Sequence, residues 1–139
     1  VVVIIRLCVN TGSTLHLVHP FGFVLSKKTL RRAALDYIDN ASIIEHENIG
    51  GCLAAIKNTR VFALSTKGKT LYSDIVFQEN DTFLFGSETS GLPKKILNTN
   101  ICEGVLRLPM AENSRSINLS NAVAIVLYEG VRQTKNKLL

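Results

Sequence analysis

Short apolar runs alternate with amphipathic stretches along most of the chain. The runs Leu15–Val18, Ser42–Ile44, Arg60–Leu64, Thr82–Phe85 and Val105–Leu108 predict strands. Helical patterns occupy Ile4–Asn10, Lys27–Tyr37, Ile49–Asn58, Lys94–Asn98 and Ile117–Gln133. Ser26 stands where an N-cap belongs, Pro93 in a first helical turn, and Gly12 and Asn58 at C-caps. Strands alternating with helices imply a mostly parallel sheet with helices on both faces, so the expected class is α/β. The runs lack period-2 alternation, as strands buried on both sides do. No linker, repeat or low-complexity segment interrupts residues 1–139, which read as one domain.

Three strands share a further feature. Val61–Leu64 runs into Ser65-Thr-Lys-Gly-Lys69, Phe83–Phe85 into Gly86-Ser-Glu-Thr-Ser-Gly91, and Val105–Leu108 into a long polar segment. In open α/β sheets the C-terminal edge of the strands is where ligands bind. Glycines at both ends of the second loop permit close backbone approach, and Glu88 between them can accept hydrogen bonds, although alone the segment reads as a turn. In the third loop, seven of the nine residues from Glu112 to Ser120 are polar, and they meet the apolar run Ala122–Leu127, which predicts a fully buried helix. A helix start needs acceptors for its first amides. One capping residue suffices, so the surplus of hydroxyl, amide and guanidinium groups points to a ligand or to buried backbone that must be satisfied.

Composition narrows the partners. Hydrophobic residues make up 46% and charged ones 19%, which excludes a disordered chain. No apolar run reaches the roughly 18 residues of a membrane span. Cys8, Cys52 and Cys102 are scattered and odd in number, which argues against a disulfide framework and against zinc, and fits a reducing cytosol. His16, His19 and His46 lack metal-ligand spacing and are expected to be structural or exposed, so no metal is expected. A net charge of +5, with Lys27, Lys28, Arg31 and Arg32 clustered and Lys94-Lys95 beside Pro93, suits either a polyanion or a solvated helix face. There is no GxGxxG, P-loop or GxSxG motif, and with the histidines lacking ligand spacing this disfavours a dinucleotide dehydrogenase, a P-loop NTPase and a zinc hydrolase. The single methionine is Met110, so an N-terminal segment is expected to precede Val1.

Six blocks carry a resemblance: Ile4-Ile-Arg-Leu-Cys-Val-Asn-Thr-Gly12, Pro20-Phe-Gly-Phe23, Leu30–Tyr37, Phe62-Ala-Leu-Ser-Thr-Lys-Gly68, Phe85-Gly-Ser-Glu-Thr-Ser-Gly-Leu-Pro93, and Leu108-Pro-Met110 followed by Ser114–Ala122 and Tyr128-Glu129. Together, and in this order from Ile4 to Gln133, they closely resemble the SPOUT RNA methyltransferases, in particular the TrmL-like branch that methylates the ribose 2′-hydroxyl of the tRNA wobble nucleotide. That resemblance implies a C-terminal deep trefoil knot, a homodimer with sites near the subunit interface, and S-adenosyl-L-methionine as methyl donor, leaving S-adenosyl-L-homocysteine. It places the cofactor at Leu64, Gly86, Leu108 and Ser116, with Thr66, Glu88, Gly91, Leu92, Met110, Asn118, Leu119 and Ala122 around them.

The implied substrate is tRNA, with cytidine or uridine at the wobble position, and no membrane is involved. Arg6 matches the arginine of the family's acid–base step. A guanidinium is a poor base, so it is expected to position a phosphate and stabilise an oxyanion, unless it is structural and paired with a carboxylate. Ser120 and Tyr128 are further catalytic candidates, Tyr128 being otherwise a buried aromatic. Lys67, Arg115, Lys27, Lys28, Arg31 and Arg32 are the expected phosphate contacts. Two departures stand out: the family's first strand and its Asn-Thr-Gly-Asn turn are missing before Ile4, where Val1-Val-Val3 stands, either because that segment lies outside this sequence or because the chain diverges, and Ser87 and Ser90 stand where a proline and an arginine are expected. Two alternatives remain, a non-catalytic knotted RNA-binding homologue and a 2′-O-methyltransferase acting on rRNA.

Overall fold

The structure, a computed structural model, describes residues 2–20, 41–88, 90–98 and 100–134. It realises the α/β class with every strand-to-strand pairing parallel. The strands form a two-stranded and a four-stranded sheet, and the chain divides into two compact units at Lys57–Asn58.

In the first unit, α1 (Val2–Thr11) precedes β1 (Thr14–Val18), and β2 (Ser42–His46) precedes α2 (Ile49–Ala55). Ile5 and Cys8, one turn apart, point α1 into the core, and the buried Thr11 hydroxyl donates to the Leu7 carbonyl at 2.9 Å. Gly12, at φ 67°, ends the helix as expected, and the Ser13 amide donates to the Cys8 carbonyl. β1 and β2 pair from Thr14↔Ser42 to Val18↔His46, and both helices pack on both strands. β2 is less buried than its run suggests: Ile44 is exposed, and among the described residues β2 pairs only with β1. The Asn48 side chain caps α2 by accepting the Gly51 amide. Ile56 closes that helix by donating to the Cys52 carbonyl, so Asn58 is not its C-cap. The expected N-cap Ser26 and helix Lys27–Tyr37 lie outside the described residues.

The second unit contains β3 (Val61–Leu64), β4 (Thr70–Leu71), a 3₁₀ turn (Tyr72–Asp74), β5 (Thr82–Phe85), α3 (Lys94–Leu97), β6 (Gly104–Arg107) and α4 (Leu119–Thr134). The sheet order is β4-β6-β3-β5. β3 is enclosed between two strands, and Val61, Phe62 and Ala63 are all buried. Phe62 and Leu106 anchor the core with Phe77, whose ring meets those of Phe62 and Phe83 edge-on at 5.5 and 5.0 Å. β4 escaped the sequence reading, since two residues carry no periodicity. Pro93 precedes the first turn of α3 as its N-cap, with φ −59° and ψ 143°.

The expectation of a fully buried last helix is corrected. Val123 and Val126 face the core, while Asn121, Ile125, Tyr128 and Arg132, spaced three and four apart, form an exposed stripe. Six consecutive apolar residues concealed that helical period. On the packed side, the Phe83 ring lies 3.4 Å from where a Cβ on Gly130 would stand, so the missing side chain lets α4 close onto β5. Gln133 accepts the Phe77 amide at 2.7 Å and donates to the Ile75 carbonyl at 3.0 Å, fastening α4 to the segment before β5. Arg60 grips Asp81 with two donors at 2.9 and 2.6 Å. Among the described residues no helix is long and apolar enough to cross a membrane.

Candidate functional site

Parallel register decides where the three polar loops begin. Leu64 at the end of β3 is paired with Phe85 of β5 on one side and Leu106 of β6 on the other. The three strands therefore end at one edge, and each releases its loop there. The loops enclose a cavity of ≈ 570 Å³.

Each wall has a local cause. After β3, the Ser65 amide donates to the Leu106 carbonyl, and the chain turns with the Gly68 amide on the Ser65 carbonyl and the Lys67 amide on Ser65 Oγ. After β5, Gly86 lies against the backbone of Gly91 and Leu92 so closely that a Cβ there would stand 2.2 Å from the Gly91 carbonyl carbon. Gly91 adopts φ 67°, its amide donates to the Ser87 carbonyl, and the Ser87 and Ser90 hydroxyls meet at 2.7 Å. The segment is indeed a turn, and the turn is a cavity wall. After β6, the chain passes through Asn113 at φ 62° to Asn118, whose Oδ1 accepts the Ser120 amide at 3.0 Å and whose carbonyl starts α4 by accepting the Ala122 amide. Asn118 thus supplies the cap, while Ser116, Ile117, Asn118 and Leu119 all border the cavity.

Every residue expected around a cofactor borders this cavity: Leu64, Thr66, Gly86, Glu88, Gly91, Leu92, Leu108, Met110, Ser116, Asn118, Leu119 and Ala122. Lys67 does too. Arg115 is exposed on the third loop and is not among the lining residues. Ser120 sits half-buried in the first turn of α4. Tyr128 is 47% exposed, which removes the buried-aromatic reading within this chain. Eight residues separate it from Ser120, or about 12 Å of helix. Arg6 is exposed on α1 in the first unit. Lys27, Lys28, Arg31 and Arg32 lie outside the described residues. Sequence reasoning named none of Ser65, Phe85, Ser87, Ser90, Lys94, Leu97 and Ile117 as site residues, and all seven line the cavity. Lys94 stood out only as part of a basic pair, and Ile117 was hidden between two polar neighbours.

Hydroxyls from Ser65, Thr66, Ser87, Ser90 and Ser116, the Glu88 carboxylate, and two ammonium groups at Lys67 and Lys94 share this cavity with an apolar wall of Leu64, Leu92, Leu108, Leu119 and Ala122. Such a lining offers an apolar slot for a flat ring and convergent polar groups for a zwitterion or hydroxyls.

Residues 1–128 match the SpoU rRNA Methylase family. A tRNA (cytidine(34)-2′-O)-methyltransferase of Methylovorus glucosotrophus is 54% identical over 130 residues, spanning 94% of this chain and 84% of the relative. A solved structure described under the 2-OH methylation of C/U34 on tRNA superposes with a TM-score of 0.85 at 36% identity, covering 95% of this chain and 86% of the other. The SpoU methyltransferase AviRb from Streptomyces viridochromogenes, solved with AdoMet, shares the fold at a TM-score of 0.82 and 23% identity, over 95% of this chain and 54% of the other.

Proposed function

Since the chain belongs to the SpoU rRNA methylase family, we propose that it methylates the ribose 2′-hydroxyl of nucleotide 34 in tRNA, a cytidine or uridine, as a cytosolic enzyme that uses S-adenosyl-L-methionine. The observation that carries this reading is the convergence of the loops after β3, β5 and β6 on one cavity. Relatives 54% and 47% identical, of which this chain spans 84% and 83%, are tRNA (cytidine(34)-2′-O)-methyltransferases. The residues fit the donor: ≈ 570 Å³ lies within the range of about 300–1,000 Å³ usual for small-molecule sites, and the lining supplies both an apolar wall and polar groups. When bound, S-adenosyl-L-methionine supplies a methyl group already activated on a sulfonium.

The protein's work is then alignment and management of one proton. Backbone amides and carbonyls at the ends of β3, β5 and β6 bind and orient the donor, with Glu88, Ser116 and Asn118 beside them. Met110 and Leu108 cover the site against water. Lys67 at the rim and Arg115 on the third loop draw the RNA backbone in, which makes binding salt-dependent. Arg6 holds the target phosphate and stabilises the developing ribose oxyanion, because a guanidinium does not give up its proton at neutral pH. Ser120 stands at the start of α4, next to the lining residue Leu119, and Tyr128 follows on the exposed stripe.

The same reading extends to assembly and topology. The chain acts as one SPOUT domain, its sheet covered by helices on both faces and its segment from Leu108 into α4 threaded as a deep trefoil knot. It works as a homodimer without a catalytic metal. The stripe containing Ile125 and Tyr128 on α4 supports a second copy as its cover, since exposed apolar side chains at helical spacing are the usual mark of an interface.

Mass-spectrometric mapping of nucleosides in tRNA from cells with and without the protein tests the function. The 2′-O-methyl mark at nucleotide 34 is expected to vanish with the protein. A mark retained there but lost from rRNA would transfer the activity to the ribosomal substrate.

A further inference from the structure

The first unit contains a group of donors that methyl transfer does not use. His16 lies on β1, His46 on β2 and Cys52 on α2. Their spacing along the chain has no metal-ligand pattern, but the parallel register pairs His16 with Ile44. Alternate residues of a strand share a face, so His46 falls on the same face as His16. α2 packs on both strands and brings Cys52 to the pair. One donor atom from each of the three lies within 4.8 Å of the other two.

The geometry of the histidine pair is specific. His16 Nδ1 and His46 Nε2 are 2.9 Å apart, with the ring planes 14° from parallel and the centroids 5.1 Å apart. That separation nearly equals the nitrogen–nitrogen distance plus the two ring radii. The rings therefore meet edge to edge with two nitrogens facing each other across one hydrogen. Both imidazoles are half-buried, and Cys52 is 2% exposed.

We propose that His16, His46 and Cys52 form a binding site for a divalent cation of the zinc class. Tetrahedral zinc holds nitrogen at about 2.0–2.1 Å and thiolate sulfur at about 2.3 Å, which sets its ligand atoms roughly 3.3–3.6 Å apart. The two nitrogens need to part by only a few tenths of an ångström, and the sulfur, within 4.8 Å of both, has to close to about 3.6 Å. A nitrogen and thiolate donor set selects zinc-class ions over magnesium and calcium. Glu45 alternates to the opposite face of β2 and pairs with His19, so among the described residues the protein supplies three ligands. The protons balance: the hydrogen shared by the rings moves to the outer nitrogen of the ring that held it, and Cys52 releases its thiol proton to water. Occupied, the site ties β1, β2 and α2 together.

The test uses the full chain stripped with chelator, titrated with Co²⁺ as optical probe and then with Zn²⁺ as competitor. The expected result is one Co²⁺ per chain, with a thiolate-to-cobalt charge-transfer band and the visible bands of a tetrahedral ion, discharged by Zn²⁺. Cys52→Ser should remove the charge-transfer band, and His46→Asn should weaken binding by at least about tenfold. Cys8→Ser, also at a buried thiol, should change neither. Absence of Co²⁺ uptake by the wild-type chain, or an octahedral spectrum without the charge-transfer band, overturns the proposal without reference to any variant. A band that persists in Cys52→Ser overturns it as well. Where Cys52→Ser does not fold, His16→Gln takes its place, and unchanged Co²⁺ affinity in that variant counts against the site.

Discussion

Replacing Gly86 by alanine inserts a methyl group where the second loop folds back on β5. The new Cβ would stand 2.2 Å from the Gly91 carbonyl carbon and 2.3 Å from the Leu92 nitrogen. Ordinary carbon contacts lie at about 3.5–4.0 Å, so the overlap exceeds an ångström and falls on backbone that cannot rotate away. Overpacking of this kind costs about 1–3 kcal/mol. If the loop relieves it by opening, the cost falls on the closed, ligand-binding form, and S-adenosyl-L-methionine affinity drops about 5- to 150-fold. Gly91 is the control within the same turn. A Cβ there meets nothing within 4 Å, but the residue sits at φ 67°, which costs a non-glycine residue about 1–2 kcal/mol through backbone strain alone. Calorimetric titration with S-adenosyl-L-methionine, beside thermal denaturation, separates the two. Both variants should melt lower than the wild type, with the larger affinity loss in Gly86→Ala. Binding by Gly86→Ala within about twofold of wild type, at an unchanged melting temperature, would refute the claim that close backbone approach shapes the cavity.

Arg6→Ala should abolish methyl transfer to tRNA while leaving S-adenosyl-L-methionine affinity intact; equal loss of both in paired activity and calorimetric measurements would make Arg6 structural. Asn118→Ala should cost about 1 kcal/mol of stability through its lost cap, whereas Ser116→Ala should weaken donor binding and leave the melting temperature almost unmoved. Glu129 is held down to about 2 by hydrogen bonds from Arg132 and Gln133. A depressed carboxylate stabilises the fold above its unfolded value of about 4.3 and loses that contribution as pH falls toward 2. Wild type should therefore outmelt Glu129→Gln at pH 7, the gap shrinking below about pH 4; a constant gap from pH 7 to 2.5 would contradict this role. Ile125→Glu should shift gel filtration from dimer to monomer, and a wild-type monomer that still turns over would overturn the interface.

Much of the site was legible because its cause is local. A strand that leaves a parallel sheet must end in a loop, and the polar residues of three such loops reveal themselves beside apolar runs. Asn118 shows how the polar surplus divides: one residue supplies the cap, and its neighbours Ser116 and Leu119 border the cavity. Lys94 and Leu97 were not legible in this way, because α3 reaches the cavity through the packing of a buried Ile96.

By itself, the order of apolar runs, glycines and capping residues determined the α/β class, most element positions and the three polar loops at strand ends, since each depends on neighbours a few positions away; the individual residues around the cavity came from the resemblance of whole motifs. Tertiary structure alone decided the order β4-β6-β3-β5, the pairing of Thr70–Leu71 with β6, the exposed stripe on α4, and the meeting of His16, His46 and Cys52. Each of these depends on which distant backbones exchange hydrogen bonds or which helix face finds a partner. Pairing energy of that kind belongs to contacts remote in sequence, where local propensity and periodicity carry no information.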